Sequence, residues 1–279
     1  MRDHCSPSPT VVVGIDGSRS ALDAALWAVD EAISRDIPLR LIYAIDPANT
    51  AGTDPEDAAR DLAKAEIAVR YAFTAVESTN KPVKIEVEIL QDRPTRALLG
   101  ASRWAAMVCV GSIGLKHSAH GRIGSTAAAL ASSAHCPVAI VRGHDPLQTE
   151  QQWVVAELDE APASEGVLRR AAAGVGHLAV TLRRRSRRPA VADGNRLAKA
   201  QLDRRLAHWR KRNPDLDVQA VAVHGSTLNF LTKNASSIQL LVAGHERAQG
   251  INALVGPPGY AALHNGNCSL LICEPQNVL

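Results

Sequence analysis

The sequence predicts an α/β protein built from two tandem doubly wound, Rossmann-like domains. Three observations lead to this prediction: β-rich segments alternate with helix-like segments, the order of elements in the first half returns in the second, and 279 residues suit two domains of about 140 each. Strands that alternate with helices imply parallel sheets with right-handed crossovers and helices on both faces. We therefore expect one domain at residues 1–144 and another at 151–279, with a linker near GHDPLQTEQQ.

The first strand of each half ends at an aspartate. The segment TVVVGIDGS ends its strand at Asp16, and the matching segment WVVAELDEA ends at Asp159. Helix-like stretches follow at residues 21–34 and 164–174. The next segments, PLRLIYAID and HLAVTLRR, are short and β-rich and predict the second strand of each half.

The remaining elements also come in pairs. Long second helices are predicted for EDAARDLAKAEIAVRYAFTAVES and NRLAKAQLDRRLAHWRKR, because apolar residues recur near helical spacing. The third strands are VKIEVEIL and DVQAVAVHG, and short helices at residues 95–104 and 227–236 lead to the fourth strands, MVCVGS and IQLLVAG. A glycine-containing segment, a last helix and a closing strand complete each half. The closing strands are CPVAIVRG and CSLLICEP.

Composition places the chain among globular proteins. Hydrophobic residues make up 46% and charged residues 21%, while aromatic residues make up only 3%, so we expect a core of Ala, Val, Leu and Ile. A net charge of +3 is too small to indicate a nucleic-acid or membrane partner. Three of the five cysteines lie in apolar runs, which suggests a reducing compartment. The start MRDHCSPSPT has no apolar core, and the apolar runs are far shorter than the about 20 residues of a membrane span, so we expect a cytoplasmic protein.

Glycines are concentrated in the segment VCVGSIGLKHSAHGRIGST, directly after the fourth strand. Their spacing is Gly111-x2-Gly114-x9-Gly124-Ser125, followed by the helix-compatible run TAAALASSA. Gly124 and Ser125 therefore lie at a predicted helix N-terminus, where free N–H groups and the helix dipole favour phosphate. Gly111 and Gly114 allow the backbone to approach a ligand closely. The spacing predicts a phosphate-binding loop.

Asp16 is the acidic partner of this loop. In doubly wound sheets, ligands bind at the carboxyl ends of the strands, where the strand order reverses. If the first and fourth strands are neighbours, Asp16 faces the glycine segment and can accept hydrogen bonds from ribose hydroxyls. The alternative is that Asp16, Gly17 and Ser18 form only a turn and the N-cap of the first helix. Neither G-x4-G-K-[ST] nor G-x-G-x-x-G occurs here, so the segment is a different kind of nucleotide loop.

The residues VVVGIDGS, the full G-x2-G-x9-G-[ST] pattern and CPVAIVR resemble a tandem-domain universal stress protein over nearly the whole chain. The resemblance implies a five-stranded parallel sheet of order 3-2-1-4-5 and an ATP site, with or without Mg²⁺, that includes Asp16. It also implies that the backbone at Ala44 contacts adenine and that Val138 or its neighbours line the pocket. Finally, it implies that the two domains pair within one chain and that chains form a homodimer. The sequence departs from the family around the second glycine, where Ile113 and Leu115 stand in place of His and Arg.

The second half departs further from the glycine pattern. Gly244 matches the first glycine, but Arg247 stands at the place of the second. Gly256 matches the third glycine and is followed by Pro257, which has neither a hydroxyl nor a backbone N–H. Glu160 adds negative charge beside the aspartate of this half. We expect a structural or regulatory domain without nucleotide, and hence one ATP per chain.

Other chemistry is weakly indicated. The run RRRSRR at residues 183–188 lacks interleaved aromatic residues, so a solvated loop is preferred over a nucleic-acid site. The spacing of His117, His120, His135 and Cys136 fits no strong metal signature, and we expect no metal site. The G-x-S-x-G motif of hydrolases is absent.

Three functions follow from these residues. The first is an ATP-binding stress-response protein in which nucleotide shifts a conformational or assembly equilibrium. The second is an ATP hydrolase or phosphate-transferring enzyme that uses the same loop. Residues 111–126 contain no Asp or Glu to act as a base or hold a metal, so we expect no catalytic residue and slow hydrolysis at most. The third is a scaffold without nucleotide.

Overall fold

The computed structural model of the protein divides into two compact units, Met1–His144 and Asp145–Leu279. It describes residues 9–47, 55–115, 123–143, 153–158, 164–172, 177–182, 192–221, 227–234, 237–245, 250–264 and 267–273. Each unit contains its own parallel sheet with helices packed against it.

The sheet of the first unit is parallel throughout. Its strands, in chain order, are β1 Val11–Ile15, β2 Leu39–Ile45, β3 Ile85–Gln91, β4 Met107–Gly111 and β5 Val138–Val141. Their order across the sheet is β3-β2-β1-β4-β5. The predicted α/β class and the 3-2-1-4-5 order are therefore confirmed. Because the chain moves from β1 to β2 on one side and returns to β4 on the other, the strand order reverses between β1 and β4.

Among the described residues of this unit, four helices cover the two faces of the sheet. They are α1 Arg19–Ser34, α2 Pro55–Glu77, α3 Pro94–Ala101 and α4 Ser125–Ser133. Helix α1 contacts α2, and α3 contacts α4, as right-handed crossovers in this strand order require. The side chains of α1 that face the sheet are small: Ala24, Ala25 and Ala28 are fully buried. With few aromatic residues to fill space, alanine lets the helix lie close to the sheet.

Helix α1 begins two residues before its predicted start because Ser18 caps it. The Ser18 Oγ accepts a hydrogen bond from the N–H of Ala21 at 3.1 Å, which satisfies one of the free donors of the first turn. Helix α3 begins at Pro94, whose ring fixes a helical φ and whose missing N–H is not needed at a first position.

The second unit repeats the same plan with one addition. Its strands are β6 Trp153–Leu158, β7 His177–Leu182, β8 Asp217–Val221, β9 Ile238–Gly244 and β10 Ser269–Cys273, all parallel, in the order β10-β9-β6-β7-β8. Its helices are α5 Ser164–Ala172, α6 Ala192–Arg212, α7 Thr227–Lys233, α8 Asn252–Val255 and α9 Pro257–His264. The short helix α8 has no counterpart among the described residues of the first unit. Across the described parts of both units, no helix is long and apolar enough to cross a membrane.

Candidate functional site

A cleft opens at the carboxyl ends of the strands in the first unit. Its volume is about 1670 Å³, which exceeds the roughly 300–1,000 Å³ typical of small-molecule pockets. Six of the seven residues that the sequence singled out line it: Asp16, Ala44, Gly111, Gly114, Gly124 and Ser125. The topology therefore brings residues from β1, β2, the segment after β4 and the start of α4 to one place.

Val138 is the exception, and its predicted place in the pocket is corrected. It is the first residue of β5, pairs with Val108 and is 2% exposed. At the cleft end of the strand, Val141 pairs with Gly111. Three residues of strand separate Val138 from that end, a distance of about 10 Å. Val138 therefore belongs to the core.

Asp16 closes the turn before α1 and also faces the glycine segment. Its Oδ1 accepts a hydrogen bond from the N–H of Ser18 at 2.9 Å, which closes the turn before α1. Its Oδ2 accepts from the N–H of Leu115 at 3.2 Å, across the cleft from β1. Gly17, which lies between Asp16 and Ser18, has a φ of +84°, a conformation that L side chains rarely adopt. The turn thus directs one carboxylate oxygen at the glycine segment, and each oxygen retains a further lone pair for a ligand.

Two of the three patterned glycines allow close contacts within the protein, one with main chain and one with the end of a side chain. A Cβ at Gly111 would lie 2.5 Å from the main-chain carbon of Ser20, at the start of α1. A Cβ at Gly114 would lie 2.7 Å from Asp16 Oδ2. Both distances are shorter than non-bonded contacts allow, so these glycines let α1 and Asp16 approach the segment after β4.

Gly124 is different, because neither its conformation nor its packing against the described residues requires glycine there. Its φ is −57° and its ψ is 148°, values open to any residue. A Cβ at this position would find its nearest neighbours at 3.7 Å, the N of Gly114 and the O of Ser112. The glycine therefore keeps open a space between the start of α4 and the segment after β4.

The N-terminus of α4 borders that space. Gly124 is its N-cap and provides no side-chain acceptor for the first turn. The Gly124 N–H donates to Ser112 O at 2.9 Å, and the first three residues of the helix, Ser125, Thr126 and Ala127, line the cleft. A helix N-terminus without a side-chain cap leaves N–H donors and a partial positive charge, which attract an anion.

The main chain of Ala44 also faces the cleft. In a parallel strand, the N–H and C=O of one residue point to the same neighbouring strand, and this direction alternates along the chain. Leu39 N donates to Lys84 O, so the odd-numbered residues of β2 face β3 and the even-numbered residues face β1. Pairing of β1 with β2 ends at Ile15 and Tyr43, so Ala44 lies one residue beyond it. The last register pair, Ile15 with Tyr43, leaves the Ala44 carbonyl as the main-chain group directed to where β1 has ended.

Sequence reasoning missed polar residues on two sides of the cleft. Tyr43 lines it on the side of α2, near Asp61, whose Oδ1 lies 2.9 Å from Lys64 Nζ. Burial, followed by the negative charges of Asp16 and Asp61, raises the pKa of Tyr43, so its hydroxyl remains a donor at neutral pH. The signal that was available was the position of Tyr43 beside Ala44.

On the side of α3, Asp46 and Arg93 line the cleft, and Arg93 Nε lies 3.9 Å from Asp46 Oδ1. Asp46 follows β2 directly, and Arg93 is the N-cap of α3. The two segments are brought together by the β2–β3 register, in which Ile45 pairs with Gln91.

Several other residues considered from the sequence lie outside the described residues. They are His117, His120, Asp159, Glu160, Arg247 and the arginine run at 183–188. His135 is described, and its main-chain N–H donates to Ser102 Oγ at 3.1 Å, while Cys136 is buried. Within the described parts of the chain, no three His, Cys, Asp or Glu side chains converge as metal ligands would.

The corresponding place in the second unit is built differently. After β9 ends at Gly244, helix α8 forms with Leu254 and Val255 buried, where the sequence suggested only a degenerate loop. A Cβ at Gly259 would lie 1.9 Å from Leu254 O, so α8 packs directly on the first turn of α9. Helix α9 starts with two prolines, which have no N–H to offer. Helix α9 therefore offers fewer N–H donors at its start than α4 does, and α8 packs against its first turn.

Comparison with known proteins gives consistent results. The sequence model described as the Universal stress protein family matches residues 8–142. A universal stress protein of Mycobacterium tuberculosis strain H37Rv is 49% identical over 271 residues, covering 96% of this chain and 97% of the relative. Another from the same strain is 44% identical over 261 residues, covering 92% and 96%.

A solved structure shares the fold. The crystal structure of a universal stress protein from Archaeoglobus fulgidus DSM 4304 matches with a TM-score of 0.69 and 14% identity, covering 96% of this chain and 97% of that one. At this identity the likeness concerns the fold alone.

Proposed function

The chain belongs to the universal stress protein family, and we propose that its first unit binds ATP as a conformational or assembly effector. In this proposal the phosphates lie against the start of α4 and the segment after β4. Asp16 accepts hydrogen bonds from the ribose, and the main chain of Ala44 contacts the adenine. In this proposal ATP binds with or without Mg²⁺, which the phosphates of ATP commonly hold.

The observation that carries the proposal is the space at Gly124. Glycine is present there although φ is ordinary and a Cβ would have 3.7 Å of clearance. Among the described residues nothing requires a glycine at this position, and a bound phosphate supplies a reason for it. The neighbouring N–H groups at the start of α4 match the oxygens of a phosphate in chemistry.

The residues around the space at Gly124 favour binding of ATP without its hydrolysis. Hydrolysis of ATP needs a group that orients or deprotonates the attacking water near the γ-phosphate. Residues 111–126 contain no Asp or Glu that could do this. The nucleotide then acts through its different affinity for two conformational or assembly states.

The proposal includes a homodimer in the cytoplasm with an empty second unit. Buried Leu254 and the proline start of α9 leave few donors in the second unit for a phosphate. Light scattering at micromolar concentration is expected to give twice the mass of the chain, 29.6 kDa. A strict monomer would remove the dimer from the proposal but leave nucleotide binding untouched.

The direct test is to identify what the protein carries. Purified protein is denatured, and the released small molecules are separated by chromatography and identified by mass. We expect an adenine nucleotide close to one equivalent per chain, or, if purification removes it, ATP binding by calorimetry. Protein that releases no nucleotide and binds none would favour the scaffold alternative.

A further inference from the structure

The pair formed by Asp46 and Arg93 lies at the end of the cleft next to Ala44. Asp46 is two residues beyond Ala44, and its side chain is 30% exposed, whereas that of Arg93 is 71% exposed. The atoms Arg93 Nε and Asp46 Oδ1 are 3.9 Å apart, at the limit of an ion pair. An exposed pair at this distance contributes little to stability. Its position in the cleft needs another explanation.

Arg93 is also placed against the local preference of its helix. It occupies the N-cap of α3 without a side-chain cap hydrogen bond, although Ser, Thr, Asp and Asn are preferred there. A positive charge at a helix N-terminus opposes the helix dipole. The acidic residue before it, Asp92, accepts from the N–H of Arg93 and pairs with Arg96 at 3.4 Å. Residues that go against the local preference of their helix are found mainly at functional sites, and Arg93 lies beside the cleft.

We propose that Asp46 and Arg93 read the base of the nucleotide and make the site selective for adenine over guanine. The inference rests on the proposed function, which puts the base beside Ala44. An ionised carboxylate only accepts hydrogen bonds, so Asp46 matches the N6 amino group of adenine, which donates. Guanine presents the O6 acceptor at that position, and two acceptors facing each other repel. The guanidinium of Arg93 donates to N7 or stacks on the ring, and its position 3.9 Å from Asp46 Oδ1 orients that carboxylate.

The test compares ATP with GTP by calorimetry in the wild type and in Asp46→Asn. The amide of the variant offers a donor to O6 and removes the charge, so the ratio of ATP to GTP affinity is expected to fall about tenfold or more. Asp57→Asn is the matched control, because Asp57 pairs with Arg60 at 2.6 Å on α2 and does not line the cleft. The ratio is expected to stay unchanged in the control. Arg93→Ala is expected to weaken ATP binding and to reduce the same ratio.

A second measurement does not depend on how well the Asp46 variant folds. Purine riboside triphosphate lacks the 6-amino group, so the wild type is expected to bind it about tenfold more weakly than ATP. In a folded Asp46→Asn variant, that difference is expected to shrink, because the amino group has lost its partner.

The outcomes distinguish a failure of nucleotide binding from a failure of base reading by Asp46. If the wild type binds neither ATP nor GTP, the proposed function fails. If it binds ATP but the preference over GTP is absent, or is the same in Asp46→Asn, base reading by Asp46 is overturned while nucleotide binding stands. Equal affinity of the wild type for ATP and purine riboside triphosphate would overturn it as well.

Discussion

Gly124→Ala is the substitution that most directly tests the phosphate space. Among the described residues, the added methyl carbon has its nearest neighbours at 3.7 Å, so the packing there can accept it. Alanine is slightly less favourable than glycine as an N-cap, and the cost in unfolding free energy is about 1 kcal/mol or less. We therefore expect a folded variant whose melting temperature lies within a few degrees of the wild type.

The effect on ATP binding is expected to be much larger than the effect on folding. The methyl group projects between the start of α4 and the N of Gly114, where a phosphate oxygen must come within about 2.9 Å of an N–H donor. Losing one charge-assisted hydrogen bond costs about 1.5–3 kcal/mol. The affinity for ATP is then expected to fall about 10-fold to 10²-fold.

Calorimetry with ATP, together with thermal unfolding of the same samples, decides the question. Gly111→Ala serves as the contrast, because its Cβ would lie 2.5 Å from the main chain of Ser20. Such overpacking typically costs about 1–3 kcal/mol, so this variant is expected to lose stability rather than reveal the site. An ATP affinity in Gly124→Ala equal to that of the wild type would refute the reasoning, because the space would then serve no phosphate.

Three further predictions concern occupancy, turnover and pH. Calorimetry is expected to find one ATP per chain, and two equivalents would show that helix α8 does not close the second unit. ATP turnover is expected to stay far below about 10 per second, and a rate in that range would favour the hydrolase alternative. The hydrogen bond from Lys84, supported by Arg40, holds the pKa of Glu86 below its ordinary value of 4.5. The ionised form therefore stabilises the fold above that value, and this contribution disappears as the pH falls through the lowered pKa. Urea unfolding is expected to show Glu86→Gln less stable than the wild type at pH 7, with a smaller difference at pH 3.

Most of the fold could be predicted because its signals are local. Alternating β-rich and helical segments and the turn at Gly17 can be recognised in short windows, and the repeat of the two halves follows from comparing those windows along the chain. The 3-2-1-4-5 order came through family resemblance, and the observed pairing confirms it. The short helix α8 was missed because four residues, Asn252–Val255, carry too little periodicity to indicate a helix. Packing of Leu254 against Gly259 stabilises it, and that contact is not visible in a short window.

The sequence alone determined which residue types stand at the strand ends: an aspartate after β1, a patterned glycine segment after β4 and a helix start after that segment. Only the tertiary structure decided what each one does. In the structure, Gly111 and Gly114 make close contacts within the protein, whereas packing against the described residues does not explain Gly124. Val138 lies in the core, and Asp46 lies beside Arg93. The physical reason is that these outcomes depend on distances set by strand register between segments far apart in the chain. Local propensity constrains conformation within a few residues, whereas contacts across a sheet depend on all the strands and helices that pack together.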